Sequence, residues 1–413
     1  MKTRDIGVLF GKFSWNHIYF LFYPICGLIN NRLTNNLDKN SVSRSFYFFY
    51  IQLLSRFIAF IPYIINRQLS KRKNAEKKDK NRENEFKYIY NETKKVLSKS
   101  LIKSTLRVAI FDFLAEAVIR IFNFINNKPQ ALRYSMQTTF VINAMTQYIV
   151  SYFVLNYHFY KHHILSFVIN IFVIVIFLII DIAEIVDKKI TDYQFYIFVL
   201  VRIIQLILSS IYDNYSKQTL LTQFLTPFSL MLFNAFYEFI FLIVFSIPFI
   251  FLKTNDTGEL IFVDFLKYLK GIKLLISFGI LFCDFFFQIF ILIVIDRFSP
   301  SHLPFGFIIS SFGYNLYTII KNSINNNKTK WYNYSYLPLY IILFISVMIH
   351  NEIFIINKWG FNENTKLFLN YKLDEEKSIS IIKENDDDED ENSDKNEEQY
   401  ENILPIEDLS ENN

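Results

Sequence analysis

Residues 164–180 read Ile-Leu-Ser-Phe-Val-Ile-Asn-Ile-Phe-Val-Ile-Val-Ile-Phe-Leu-Ile-Ile, seventeen residues without a charge. A bilayer core about 30 Å thick takes roughly 20 mostly apolar helical residues to cross, and this stretch is the purest such ruler mark in the chain. Applied to all 413 residues, the same ruler finds ten stretches. They are 13–30, 45–66, 104–126, 131–155, 163–186, 194–212, 227–252, 271–295, 303–322 and 335–357. A backbone in lipid must satisfy its own hydrogen bonds, so these runs are expected as helices. The expectation is an all-α polytopic membrane protein of about ten transmembrane helices.

Composition points the same way. Hydrophobic residues make up 52% of the chain and Phe alone 47 residues, more rings than a soluble core of this size can hide. Two Cys exclude a disulfide framework and leave no thiolate cluster. The formal charge of +4 conceals two opposed parts. Residues 359–413 hold 18 Asp/Glu against 5 Lys, whereas residues 1–358 hold 38 Lys/Arg against 21 Asp/Glu. Residues 1–358 read as a membrane body and residues 359–413 as an acidic, disordered tail centred on residues 384–391. No signal peptide is expected before the first span, which reads as a retained anchor. The loop Arg67–Lys103 carries 13 Lys/Arg and 5 acids, and by the positive-inside rule it places both termini in the cytoplasm. Five Asn-x-Ser/Thr sequons, at Asn91, Asn214, Asn255, Asn327 and Asn333, are about what this composition yields by chance.

The chain repeats itself. Ile61-Pro62-Tyr63-Ile64-Ile65 matches Ile247-Pro248-Phe249-Ile250-Phe251, and Phe111-Asp112-Phe113 matches Cys283-Asp284-Phe285. Pro129-Gln-Ala-Leu132 matches Pro300-Ser-His-Leu303, and Thr138-Thr139 with Asn143 match Ser310-Ser311 with Asn315. Glu184 and Glu352 close the fifth and tenth spans. The implied organisation is a tail 1–12, a first five-helix unit 13–186, a second 187–358 and the tail 359–413. Five spans is an odd number, so the second unit enters the membrane inverted, as secondary transporters often are built.

Ten spans as five plus five resembles the drug/metabolite transporter superfamily of exporters and nucleotide-sugar or triose-phosphate carriers. Ser135-Met-Gln137-Thr138-Thr139 through Tyr152-Phe153-Val154-Leu155, then His162-His163-Ile164-Leu165-Ser166, looks like that family's fourth span, turn and fifth span. Phe298-Ser299-Pro300-Ser301-His302-Leu303-Pro304 looks like the start of its ninth. The resemblance covers roughly 13–357, and only 9 Gly depart from the glycine-rich helices common in the superfamily. It implies that spans four and nine line a cavity, which makes Gln137, Asn143, Tyr314 and Asn315 candidate substrate contacts.

Ionisable residues inside a membrane are costly and are site candidates by default. Asp112, Glu116 and Arg120 form one stripe on the third span, with Glu116 and Arg120 able to pair and Asp112 left for a proton or cation. Asp284 mirrors Asp112, with Gln288 one turn on. Glu238 and Arg202 are central in the seventh and sixth spans and able to pair, and Arg56 is mid-span in the second. The alternative role for all of these is polar packing between helices. His162-His163 opens a helix without an acidic partner at metal spacing in the sequence, so no metal and no cofactor are expected. No P-loop, GxGxxG, HExxH or GxSxG motif is present, and an enzyme is not expected. The function expected is secondary-active transport of a small polar metabolite, proton or cation coupled; a channel or a structural membrane protein is the alternative. The expected partners are the bilayer and a small-molecule substrate, with no nucleic acid. A homodimer and a sorting adaptor reading Tyr400–Ile403 are further candidates, in an endomembrane or plasma membrane.

Overall fold

The computed structural model describes residues 8–10, 19–35, 43–65, 99–125, 138–187, 193–251, 270–325, 329–356 and 365. Among them are ten main α-helices: α1 (Tyr19–Asn35), α2 (Ser43–Phe57), α3 (Lys99–Ile125), α4 (Thr138–Leu155), α5 (Lys161–Asp187), α6 (Tyr193–Gln223), α7 (Pro227–Ile250), α8 (Ile272–Arg297), α9 (Leu303–Ile324) and α10 (Trp331–His350). Six of these, α5 to α10, are long and apolar enough to cross a membrane. The architecture is that of a multi-pass helical membrane protein. α3 has the length, at 27 residues, but carries the charges, whereas α1 and α2 are shorter, at 17 and 15 residues.

Periodicity explains how α5 packs. Its buried residues are His162, Ser166, Asn170, Val173, Phe177, Ile180 and Asp181, a stripe at helical spacing that gathers every polar residue between Leu165 and Ile182. Its outer face shows Val168, Phe172, Ile179 and Val186, each more than half exposed. Apolar residues outside and polar ones within is the pattern of a helix whose surroundings are hydrocarbon.

Helix neighbours follow a pattern. α1 packs on α8 and α9, while α6 packs on α3 and α4. α2 meets α8 as α7 meets α3, and α2 meets α3 as α7 meets α8. α4 lies on α5 as α9 lies on α10, and the pairs α2–α7, α4–α9 and α5–α10 join helices five apart. α6 also touches α8. One apolar core gathers Tyr23, Leu230, Met231, Val294 and Ile295. A second gathers Val141, Tyr148, Phe177, Tyr336 and Tyr340. At the α1–α9 crossing a Cβ on Gly306 would run into the Tyr23 ring, so only glycine admits that buried tyrosine.

The structure moves several sequence-based boundaries. The tenth span ends at His350, not 357, and Phe354–Ile356 is a strand paired antiparallel with Val8–Phe10. Among the described residues the fold is therefore helical with one two-stranded ribbon, and part of the supposed tail 1–12 is paired. The sixth span runs on to Gln223, because the polar run after Tyr212 keeps its helical bonds and turns its polar groups inward. The second span breaks after Phe57 and resumes helically over 60–65. Residues 131–137, the expected start of the fourth span, lie outside the described residues, as do most of the basic loop and nearly all of the acidic tail.

Candidate functional site

The break after α2 falls beside a deeply buried charge. Pro62 has no N–H to give to the Ile58 carbonyl, so the helix cannot run through regularly. The chain tightens instead, with Ile58 N–H donating to Ser55 O at 3.1 Å and Ala59 N–H to Arg56 O at 3.1 Å. Arg56 is 3% exposed. Its Nη1 lies 2.8 Å from Asp112 Oδ2 of α3 and also donates to Glu238 Oε1 of α7.

Ser55, the preceding residue, serves a fourth helix. Its Oγ donates to Asp284 Oδ2 of α8 at 2.6 Å, and Asn30 Nδ2 of α1 donates to Asp284 Oδ1 at 3.2 Å. Two consecutive residues of one interrupted helix thus hold carboxylates from α3, α7 and α8. All four charged side chains are buried.

A second polar layer joins α4 and α6. Gln147 Nε2 donates to Asp213 Oδ2. Ser151 Oγ donates to Asn214 Oδ1 at 2.7 Å, and Asn214 Nδ2 donates to Gln147 Oε1 at 3.2 Å. Thr146 and Ser210 hydroxyls meet at 3.0 Å. Lys217, one turn beyond Asp213, donates to the Asp296 carbonyl at 2.8 Å. Near the beginning of α3 and the end of α6, a polar cleft of about 260 Å³ is lined by Ser104, Arg107, Tyr215 and Thr219 among others. The Arg107 guanidinium lies over the Tyr215 ring at 4.9 Å.

The sequence candidates divide. Arg56, Asp112, Glu238 and Asp284 come together. Asp112 is not left over for a cation; it faces Arg56. Glu238 goes to Arg56, where Arg202 had been its expected partner, and Arg202 bonds Gln205 on its own helix. Glu116 is half-buried one turn beyond Asp112, and Gln288 is half-buried on α8. Gln137 and the Arg120 side chain lie outside the described residues, so the Glu116–Arg120 pair does too. Asn143 is buried on α4. Asn315 is buried on α9, donating to Ser311 O at 3.1 Å and Tyr340 Oη at 3.4 Å. Tyr314, its neighbour, is 60% exposed on the outer face, because one residue turns a helix by about 100°. Asp213, Asn214, Lys217, Ser55 and Asn30 were missed. The signal for the first three was the spacing Ser210, Asp213, Asn214, Lys217 on one helical face, masked by a composition that reads as a loop.

Four of the six histidines occupy another place. His162 and His163 begin α5, His350 ends α10 and His302 precedes α9. Glu352 Oε1 lies 3.4 Å from His162 Nε2. The acidic partner that the local sequence lacks is therefore supplied by the far end of the second half.

No protein-family model matches the chain, and no curated protein matches it.

Proposed function

We propose that this protein is a secondary-active carrier of a small polar metabolite, working by alternating access and built as ten spans in two inverted five-helix repeats, in the manner of the drug/metabolite transporter superfamily. The observation that carries the reading is the Arg56 centre. Arg56 and Glu238 come from α2 and α7, and Asp112 and Asp284 from α3 and α8, two pairs of helices each five apart in order. The same shift by five exchanges most of the helix neighbours, which supports a two-fold relation between the halves with the charges beside its axis. An interrupted helix at a buried charge is a further transporter habit. The ribbon between Val8–Phe10 and Phe354–Ile356 brings the two flanks of the bundle to one side, as an even number of crossings requires. Both flanks are proposed as cytoplasmic, in an endomembrane or plasma membrane.

Charge balance favours coupling to a cation. Among the described residues of this region, Asp112, Asp213, Glu238 and Asp284 are buried against Arg56 and Lys217. An unbalanced buried carboxylate costs several kcal/mol, so a proton or a metal cation accompanies the surplus in at least one state of the cycle. The test is flux in proteoliposomes, with a panel of labelled amino acids, nucleosides and sugars, with and without an imposed pH gradient. The expected result is gradient-driven uptake by the native protein that Asp112→Asn abolishes while its melting profile in detergent stays close to native. Downhill flux that ignores the gradient would indicate a channel. No flux of any panel member, with Asp112→Asn acting only on melting, would indicate a structural role.

A further inference from the structure

The histidine cluster at the α5–α10 end takes no part in the Arg56 centre and is supplied by other helices. His162 Nε2 lies 3.1 Å from His163 Nε2 and 3.4 Å from Glu352 Oε1, and one ligand atom from each residue falls within 4.8 Å of the others. Zinc–nitrogen bonds of about 2.0–2.1 Å at a tetrahedral angle set neighbouring ligand atoms about 3.4 Å apart, so these spacings suit a single ion.

The ring nitrogens converge on one point. His163 Nδ1 accepts the Tyr160 N–H at 3.0 Å, and its Nε2 faces His162 Nε2. His162 Nδ1 is buried without a partner among the described residues. An ion placed among the three atoms would take one lone pair from each.

Backbone geometry agrees. Glu352 has φ 57°, a left-handed conformation that a residue with a side chain adopts at a cost, and it turns the chain back from α10 toward the start of α5. Behind the site His350 stacks on Tyr148, with ring centroids 3.4 Å apart, and lies 4.7 Å from the His163 ring, restricting where that ring can go. Ligation through His163 Nε2 moves its proton to Nδ1, so the Tyr160 amide must turn away. Tyr160 ends the non-helical segment 156–160, so its N–H is not committed to a helical bond.

We propose that His162, His163 and Glu352 bind one divalent transition-metal ion of the zinc class, clasping the beginning of α5 to the residue two beyond α10. Two imidazoles and a carboxylate leave a coordination position open for water, a set that suits zinc better than calcium or magnesium.

The test uses the full chain purified in detergent and stripped with a chelator. Zn²⁺ is titrated calorimetrically, and Co²⁺ is added separately as a probe of coordination by its visible absorption. The expected result is one ion per chain, a tetrahedral or five-coordinate Co²⁺ spectrum, and a higher melting temperature with Zn²⁺. His163→Asn and Glu352→Gln each weaken binding by more than about a hundredfold and abolish the Co²⁺ band. Both residues are half-buried, and the metal-free melting temperature of each variant shows that it remains folded. Stoichiometric binding unchanged in both variants, or no binding by the native chain, overturns the site.

Discussion

Two seams run through this bundle, both buried and both polar, and they are made in opposite ways. Along α5 and α10 the contacts are nearly all between hydroxyls, amides and backbone. Ser166 Oγ donates to Ser346 O at 2.9 Å, Ser346 Oγ donates to Ser166 O at 3.0 Å, and Asn170 Oδ1 accepts from Ser346 at 2.8 Å. Asp181 accepts from Thr138 N and Oγ1 at 3.1 and 2.6 Å and from Tyr336 Oη at 2.7 Å, so even its charge is surrounded by donors. Along α2, α3, α7 and α8 hydroxyl contacts are present too, Tyr50 Oη donating to Ser246 Oγ at 2.7 Å and Ser55 Oγ to Asp284 Oδ2, but the centre is made of full charges, with one guanidinium serving two carboxylates. Neutral hydrogen bonds fix two helices in one register. A charge shared between competing partners has alternatives, because protonating either acid changes which helix Arg56 holds. On the proposed carrier reading, the first seam serves as a static frame and the second as a switch.

The sharpest way to break that contrast is to remove the shared cation. Arg56→Ala leaves Asp112 and Glu238 buried and facing each other, and removing one partner of a buried pair typically costs about 3–5 kcal/mol. Unfolding in detergent should show a loss of that size, with flux lost as well. Adding Glu238→Gln to an Arg56→Gln background should recover much of the stability but none of the flux. If the double variant melts no higher than Arg56→Gln alone, the charges are not coupled as described. Asp112→Asn comes next: gradient-driven flux disappears, while stability changes by about 1 kcal/mol because Glu238 still holds the guanidinium.

In the neutral seam the expected effects reverse. Ser346→Ala removes the central hydroxyl and should lower stability by about 0.5–2 kcal/mol, in the range of hydrogen bonds between membrane helices. Flux per folded molecule should stay near native. A flux defect larger than the folding defect would mean that α5 and α10 also move during transport.

How far the sequence foretells these seams depends on whether a partner is local. The helices were legible because twenty apolar residues announce themselves without knowledge of their neighbours. The charged residues of the centre were legible as individuals, since Arg56, Asp112, Glu238 and Asp284 interrupt apolar runs where charge is expensive. Their pairing was not, because Arg56 and Glu238 stand 182 residues apart and only the packing of α2 on α7 joins them. Asp213 and Lys217 were hidden by the opposite effect: a string of polar residues that continues a helix looks in isolation like the loop that ends one. Asn315 and Tyr314 differ by one position, yet one is buried and the other exposed, a distinction fixed by helix rotation that a hydropathy scan does not resolve. The His162–His163 pair had no acid nearby in sequence and acquires Glu352 only through folding.

The smallest effect is expected where the α5–α10 seam reaches its open end. Lys330 Nζ lies 3.0 Å from Asp187 Oδ2, with the side chains 57% and 43% exposed. The hydrogen bond to Asp187, with the carboxylate's charge, holds the Lys330 ammonium above its ordinary range. A cation whose pKa is raised on folding adds stability below its unfolded value, about 10.4 for lysine, and loses it only as pH climbs through the higher folded value. The pair therefore stays intact through neutral pH, but water and salt screen it at this exposure. Lys330→Ala should leave the melting temperature in 0.5 M salt indistinguishable from native and lower it barely, if at all, at low salt. A clear loss that persists in high salt would show that the neutral seam depends on its terminal charges, and the contrast between the two seams would then be one of degree.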